Sequence, residues 1–163
     1  IIEQGLIDIK QIKGRNIRYE INGVLVIIDY AHTPNSIANL LENVKLFTKG
    51  KLLLVIGAQG EKDKSKRSIM GNIATNLADT VIFTSEDPKD ESVFSIISDL
   101  TYNLNNSDYY ITYFREDAIK LAISLANKGD TVIIVGKGDE DTEIINGIAF
   151  KHNDLDVVKK YLK

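Results

Sequence analysis

Apolar and polar positions alternate along this chain in blocks, and the blocks change period from two to between three and four as they go. Arg18 to Ile21 and Val24 to Ile28 are strand-like runs that flank Asn22-Gly23, the dipeptide whose tolerance of positive φ makes it the strongest short-range hairpin signal. The first two strands are therefore predicted to be antiparallel. Asn35 to Phe47 then carries Ile37, Leu40, Leu41 and Val44 at helical spacing behind Pro34, a residue suited to the first turn of a helix, with Thr33 or Asn35 available to cap it. Lys51 to Ile56 reads as a strand, Lys66 to Leu77 as a helix burying Ile69, Met70, Ile73 and Leu77, and Thr80 to Thr84 as a strand. Ser92 to Leu104 is predicted helical, Tyr109 to Phe114 extended, Glu116 to Ala126 helical and Thr131 to Val135 a last buried strand. A short hairpin around Asn146-Gly147 and a helix from Asp154 to Leu162 complete the pattern.

Such alternation predicts an α/β fold: an open, mostly parallel sheet with an antiparallel N-terminal edge and helices on both faces. Residues 1 to 13 fit the pattern poorly. They read as the tail of a preceding domain and a linker ending at Gly14, with residues 14 to 163 forming one domain. The opening Ile1-Ile2-Glu3, without methionine, carries the same expectation of a piece cut from a longer protein.

The composition narrows the chemistry. The 163 residues contain no cysteine, so there is neither a disulfide framework nor a thiolate, which fits a reducing cytoplasm. A net charge of −3 argues against a general nucleic-acid or membrane-surface binder, which normally shows a basic excess. The longest apolar runs are strand-sized, far from the ~20 residues of a membrane span. With two histidines and no cysteine, a protein-only transition-metal site is not expected.

Four polar segments sit where apolar strands end, and in an open parallel sheet such ends share one rim. After the second strand comes Asp29-Tyr30-Ala31-His32-Thr33-Pro34. Its carboxylate can accept from ribose hydroxyls and its imidazole can donate to phosphate, although simple helix capping with an exposed His32 accounts for the same residues. After the third strand comes Gly57-Ala58-Gln59-Gly60, where small residues let backbone N–H groups approach a ligand, followed by Lys62, Lys64, Lys66 and Arg67 crowding a helix entrance. Cations stacked on the positive end of a helix favour an anion there, while a solvated lysine-rich turn relieved by Glu61 and Asp63 is the plainer alternative. The spacing of a Walker P-loop occurs nowhere. Glu86-Asp87-Pro88-Lys89 mixes acceptors and a donor as a zwitterion would require, or forms an ordinary charged turn. Gly136-Lys137-Gly138-Asp139-Glu140 ends the last strand in the same style.

Taken in order from Gly14-Arg15 to Glu140, these segments resemble the C-terminal domain of the Mur ligases, in particular of the members that add the third amino acid to the peptidoglycan stem peptide. The resemblance runs over nearly all of the chain after Gly14. It implies a Rossmann-like domain that closes over ATP and Mg²⁺ held mainly by a central domain upstream. It implies nucleotide contacts from Arg15, Asp29, Tyr30 and His32, and contacts to the incoming amino acid from Lys62, Asp87, Lys89, Gly136 and Glu140. Lys64, Lys66 and Arg67 are further candidates for the phosphate-facing loop. Lys62 and Lys89 stand where diaminopimelate-adding members have arginine, Asp87 where they have asparagine, and Asp139 where they have histidine. Lysine lacks the bidentate fork that arginine offers a carboxylate, so lysine, ornithine or another diamino acid stays open beside diaminopimelate. The implied substrates are an amino acid and a UDP-N-acetylmuramoyl-peptide, joined through an acyl phosphate, with upstream domains of the same polypeptide as partners and no role for nucleic acid or membrane. The chain alone is then expected to be inactive. Two other classes remain: a folylpolyglutamate- or cyanophycin-type amide ligase, and a non-catalytic anion-binding module. The stretch Lys64 to Gly71 favours the cell-wall enzyme over the first.

Overall fold

In the computed structural model, residues 14–104 and 108–161 are described, and the expected N-terminal tail, residues 1 to 13, lies outside them. Six strands form one sheet: β1 (Ile17–Ile21), β2 (Val24–Asp29), β3 (Leu52–Ile56), β4 (Thr80–Phe83), β5 (Tyr109–Ile111) and β6 (Thr131–Val135). Their spatial order is β1-β2-β6-β3-β4-β5, so the last of them inserts between β2 and β3. Only β1 runs antiparallel, pairing Ile17 with Ile28 through Ile21 with Val24. Asn22 (φ 54°) and Gly23 (φ 79°) supply the two left-handed residues that a type I′ turn needs. All other pairings are parallel. The central strands β3 and β6 are buried along their whole length, which is why both read as unbroken apolar runs.

Helices α1 (Pro34–Lys45), α2 (Ser65–Leu77) and α3 (Val93–Leu100) cover one face of the sheet, and α4 (Arg115–Leu125) and α5 (Asp154–Tyr161) cover the other. Thr33 caps α1 in a reciprocal capping box with Ser36, Pro34 following in the first turn. A two-stranded antiparallel hairpin, β7 (Thr142–Ile145) and β8 (Ile148–Lys151), stands apart from the main sheet. Among the described residues no helix is long and apolar enough to cross a membrane.

Three expectations need correction. The helix predicted to Leu104 ends at Leu100, and the strand predicted to Phe114 ends at Ile111, leaving Tyr113 and Phe114 exposed. The buried face of α2 is also different. It consists of Arg67, Met70, Gly71, Ala74 and Thr75, whereas Ile69 is 52% exposed and Ile73 and Leu77 are half-buried. Arg67 takes the inward place one turn before Gly71, so the stripe is rotated away from Ile69. Gly71 is where α2 meets the end of α3. A Cβ built there would lie 1.7 Å from the Leu100 carbonyl oxygen. We expect Gly71→Ala to destabilise the fold by about 1–3 kcal/mol despite alanine's better helix propensity, because backbone and not a flexible side chain must move. Urea unfolding checks this, and an unchanged or raised midpoint would count against the α2–α3 packing.

Candidate functional site

The loops after β2, β6, β3 and β4 emerge side by side on the C-terminal rim of the sheet, in that order. Asp29 closes β2. Its Oδ2 accepts from the Asn16 N–H and its Oδ1 from the Ala31 N–H, each at 2.8 Å. The carboxylate thus pins the entering segment to the strand end, and Arg15 lies 3.9 Å from Oδ1. Arg15 also places its guanidinium 5.3 Å from the centre of the Tyr30 ring, against whose edge the His32 ring packs at 5.0 Å. His32 Nδ1 lies 2.9 Å from the Tyr30 carbonyl oxygen. A carbonyl can only accept, so Nδ1 carries the proton and Nε2 is the basic nitrogen of the neutral ring. Arg15, Asp29, Tyr30 and His32 therefore lie together in one cluster.

The loop after β6 meets this cluster. A Cβ on Gly138 (φ 56°) would approach the Gly14 carbonyl oxygen to 2.6 Å and Tyr30 Cβ to 3.1 Å. Burial first, then the carboxylates of Glu140 and Glu86, push the Tyr30 phenol above its ordinary value.

The acidic half of the rim is organised around Lys137, which is fully buried. Its Nζ donates to Asp87 Oδ1 at 2.9 Å and to Glu140 Oε2 at 2.8 Å. Burial alone would drive the ammonium neutral, but Glu140 and Asp87 outweigh it and hold its pKa above the usual lysine value. Glu86 is buried beside them, and Gly136 (φ 109°) is the only residue that fits against it, since a Cβ there would fall 2.0 Å from Glu86 Oε2. Desolvation raises the Glu86 carboxyl to about 7, against the pull of Arg115 and Lys137.

The loop after β3 lies across the loop after β4. Gly60 donates its N–H to the Asp87 carbonyl at 3.0 Å, and a Cβ on Gly60 would meet the Pro88 carbonyl oxygen at 1.9 Å. Lys89 Nζ is 3.6 Å from Glu61, while Lys62 points into solvent as an exposed cation nearby. Lys66 reaches the His32 carbonyl at 3.5 Å, joining this loop to the first cluster.

Of the phosphate-loop candidates, Arg67 is not available to a ligand. Its side chain is buried and its guanidinium donates to both oxygens of Glu91 at 2.8 Å, to Asp99 at 2.9 Å and to the Gln59 carbonyl at 3.1 Å. These bonds, Arg67 foremost, hold the Glu91 carboxyl at about 2. Lys64 is half committed to the same carboxylate, at 2.7 Å. Asp87, read from the sequence as a substrate contact, is itself 6% exposed and already accepts from Lys137 and from the Ile144 N–H.

Sequence reasoning missed Arg115, Asp154 and Glu143, and it named Glu86 and Lys137 only as members of their polar segments, without their burial. Arg115 is fully buried, grips Asp154 through two nitrogens at 2.7 and 2.8 Å, and donates to the carbonyls of Val135 at 2.8 Å and Ser85 at 3.3 Å. It thereby ties the ends of β6 and β4 together from below the rim. Lys137 was findable, as a lone lysine between two glycines after a buried strand. An arginine opening an amphipathic helix carries no signal of burial. Among the described residues no group of three or more His, Asp or Glu side chains is placed to hold a metal ion.

The matching family model is described as "Mur ligase, glutamate ligase domain" and covers residues 14–138. A Clostridium tetani UDP-N-acetylmuramoyl-L-alanyl-D-glutamate–2,6-diaminopimelate ligase is 38% identical over an alignment of 167 positions that takes in all of this chain and 34% of that protein. A solved structure of a ligase of the same name superposes with a TM-score of 0.88 at 30% identity, covering 94% of this chain and 32% of the other. A bifunctional folylpolyglutamate synthase/dihydrofolate synthase solved with Mn, AMPPNP and L-glutamate gives 0.64 at 23% identity over 83% of this chain and 31% of its own, a likeness of fold. The chain spans about a third of the length of the curated relatives it matches.

Glu86 gives this geometry a measurable signature. Its folded pKa lies above the ordinary value of 4.5, so the folded state holds the proton more tightly than the unfolded chain does. The associated stability is fully present below about pH 4.5 and is lost as pH rises through about 7. We expect Glu86→Gln to flatten that fall by up to ~3 kcal/mol. Denaturant unfolding from pH 4.5 to 8 reads it, and identical slopes in the two proteins would contradict the burial of an ionisable Glu86.

Proposed function

The chain belongs to the Mur ligase family, and from that premise we propose that it is the domain that receives the amino acid in an ATP-dependent ligase acting on UDP-N-acetylmuramoyl-dipeptide in the cytoplasm. The rest of the enzyme, which we place N-terminal to Gly14, would hold the UDP-sugar, the Mg²⁺ and most of the nucleotide. The observation that carries this reading is the meeting of two unlike half-sites on one rim: the Arg15–Asp29–Tyr30–His32 cluster and the Asp87–Lys137–Glu140 triad.

The chemistry follows from the charges. A substrate carboxylate attacks the γ-phosphorus of ATP, releasing ADP and leaving an acyl phosphate; the amine of the incoming amino acid then attacks the acyl carbon and expels phosphate. Arg15 supplies hydrogen bonds and positive charge at the nucleotide side, where negative charge builds on the transferring oxygens, and His32 Nε2, the accepting nitrogen of the neutral ring, takes a hydrogen bond from a nucleotide hydroxyl. On the other side two carboxylates share one buried ammonium, so acceptor capacity is left over for the ammonium groups of a zwitterion. Glu140, with its side chain 34% exposed, is the member of the triad that substrate can reach. Lys89 and Lys62 add the cations that a substrate carboxylate requires. That balance suits a diamino acid, and the naming of the similar proteins as 2,6-diaminopimelate ligases makes diaminopimelate the first candidate. Mg²⁺, when bound, would neutralise phosphate charge; the described residues here offer it no ligand cluster.

The test is amino-acid-dependent phosphate release by the full-length protein with ATP, UDP-N-acetylmuramoyl-L-alanyl-D-glutamate and, separately, diaminopimelate, lysine and ornithine. Glu140→Ala is expected to raise KM for the amino acid by about tenfold or more and to leave KM for ATP within about twofold, and His32→Ala to do the reverse, each through the loss of one to two hydrogen bonds. Phosphate release that ignores the amino acid, or turnover by residues 14–163 alone at enzyme-like rates, would overturn the reading.

A further inference from the structure

The loop proposed to receive the amino acid does not hold its own shape. Asp87 (φ 44°) and Lys89 (φ 54°) both sit in the left-handed region, which ordinary side chains occupy only when their surroundings over-determine it. Pro88, between them, has no N–H with which to stabilise the turn. What surrounds the loop on its outer side is the β7–β8 hairpin, an element outside the segment matched by the family model, which ends at residue 138.

The hairpin grips the loop along its length. Ile144 donates its N–H to Asp87 Oδ1 at 2.9 Å and accepts from the Lys89 N–H at 2.9 Å; Asn146 donates its N–H to the Lys89 carbonyl at 2.6 Å. Lys89 thus forms a parallel bridge with Ile145. At the other end of the loop, the Ser85 hydroxyl donates to the Glu143 carboxylate, both groups being buried. Ile144 faces Ala149 in the hairpin, and its N–H and carbonyl both turn outward to the loop, so this residue serves the loop without serving the β7–β8 ladder.

We propose that the β7–β8 hairpin is the positioning device of the amino-acid site: Glu143, Ile144 and Asn146 hold Asp87 and Lys89 in left-handed conformations and so fix the distance from Lys89 to the Asp87–Lys137–Glu140 triad. None of the three touches substrate. Their effect is on how well the amino acid is bound, with the nucleotide cluster, built on the β2 loop, left alone. The inference rests on the reading that the Thr84–Lys89 loop receives the amino acid.

Five variants of the full-length ligase separate the possibilities, with KM for diaminopimelate and for lysine measured beside KM for ATP. Ile144→Pro removes the N–H that holds Asp87 and spares the hairpin ladder; it is expected to raise KM for the amino acid about tenfold with KM for ATP within about twofold, while Ile144→Val, which keeps the N–H, restores the parent value. Because a proline in a strand also weighs on folding, Glu143→Gln is the second variant, expected to raise the amino-acid KM severalfold. Hydrogen exchange at the Lys89 amide should quicken about tenfold in Ile144→Pro. Ile148→Ser, at an exposed position of β8, should change nothing. If Lys89→Ala alters the amino-acid KM and neither Ile144→Pro nor Glu143→Gln does, or if these two shift both KM values alike, the positioning role is wrong and the functional reading stands. If Lys89→Ala leaves the amino-acid KM unchanged, both fall together.

Discussion

A lysine ammonium with no access to water must be matched by negative charge, and Lys137 is matched by carboxylates from two different segments, Asp87 and Glu140. Taking an ammonium out of water costs several kcal/mol, so the pairing is not optional: wherever Lys137 goes, the β4 loop and the end of the glycine loop must come. Asp87 in turn needs Gly60 at its carbonyl and Ile144 at its side chain, which draws in the β3 loop and the hairpin. One buried charge therefore fixes the relative places of four segments that are distant in sequence.

The same device recurs twice below and beside the rim. Arg67, on α2, is buried between Glu91 and Asp99 and joins the β3 loop, through the Gln59 carbonyl, to the segment before α3 and to that helix's last turn. Arg115 is buried against Asp154 and holds the carbonyls of Ser85 and Val135. Each cation joins two strand-end loops, and each leaves its charge neutralised inside the protein. The groups left to face a ligand are then the outer ones: Arg15, His32, Lys62, Lys89 and the accessible part of Glu140. Preorganised loops of this kind suit the amino-acid-receiving role proposed above, because their charges are held in place before a ligand arrives.

This division explains what could be read in the residues beforehand. Strands β2, β3 and β6 were legible because burial on both faces leaves an unmistakable run of β-branched and leucine residues. The two Asn-Gly hairpins were legible because few other dipeptides accept two positive φ values in succession. The face of α2 was not, because a pattern method counts Arg67 as polar and outward, although it occupies a core position through its ion pairs. Likewise β5 was overextended: Tyr113 and Phe114 are aromatic and strand-like in composition but exposed in space. At the site, positions were legible from the motifs while roles were not. Asp87 and Arg67, read from the sequence as ligand contacts, are buried and already bound to protein partners, and Glu86 and Arg115 gave no sign of burial, since the partner that makes burial tolerable lies tens of residues away.

The claim that Lys137 binds the rim together is open to a double-mutant cycle on the unfolding free energy of this chain, using Asp87→Asn, Lys137→Met and the pair. Direct contact in a buried site predicts that the two changes are strongly non-additive, with a coupling of about 1.5 kcal/mol or more. If the effects instead sum to within ~0.5 kcal/mol, Asp87 and Lys137 do not act as one unit and the rim is held by something else.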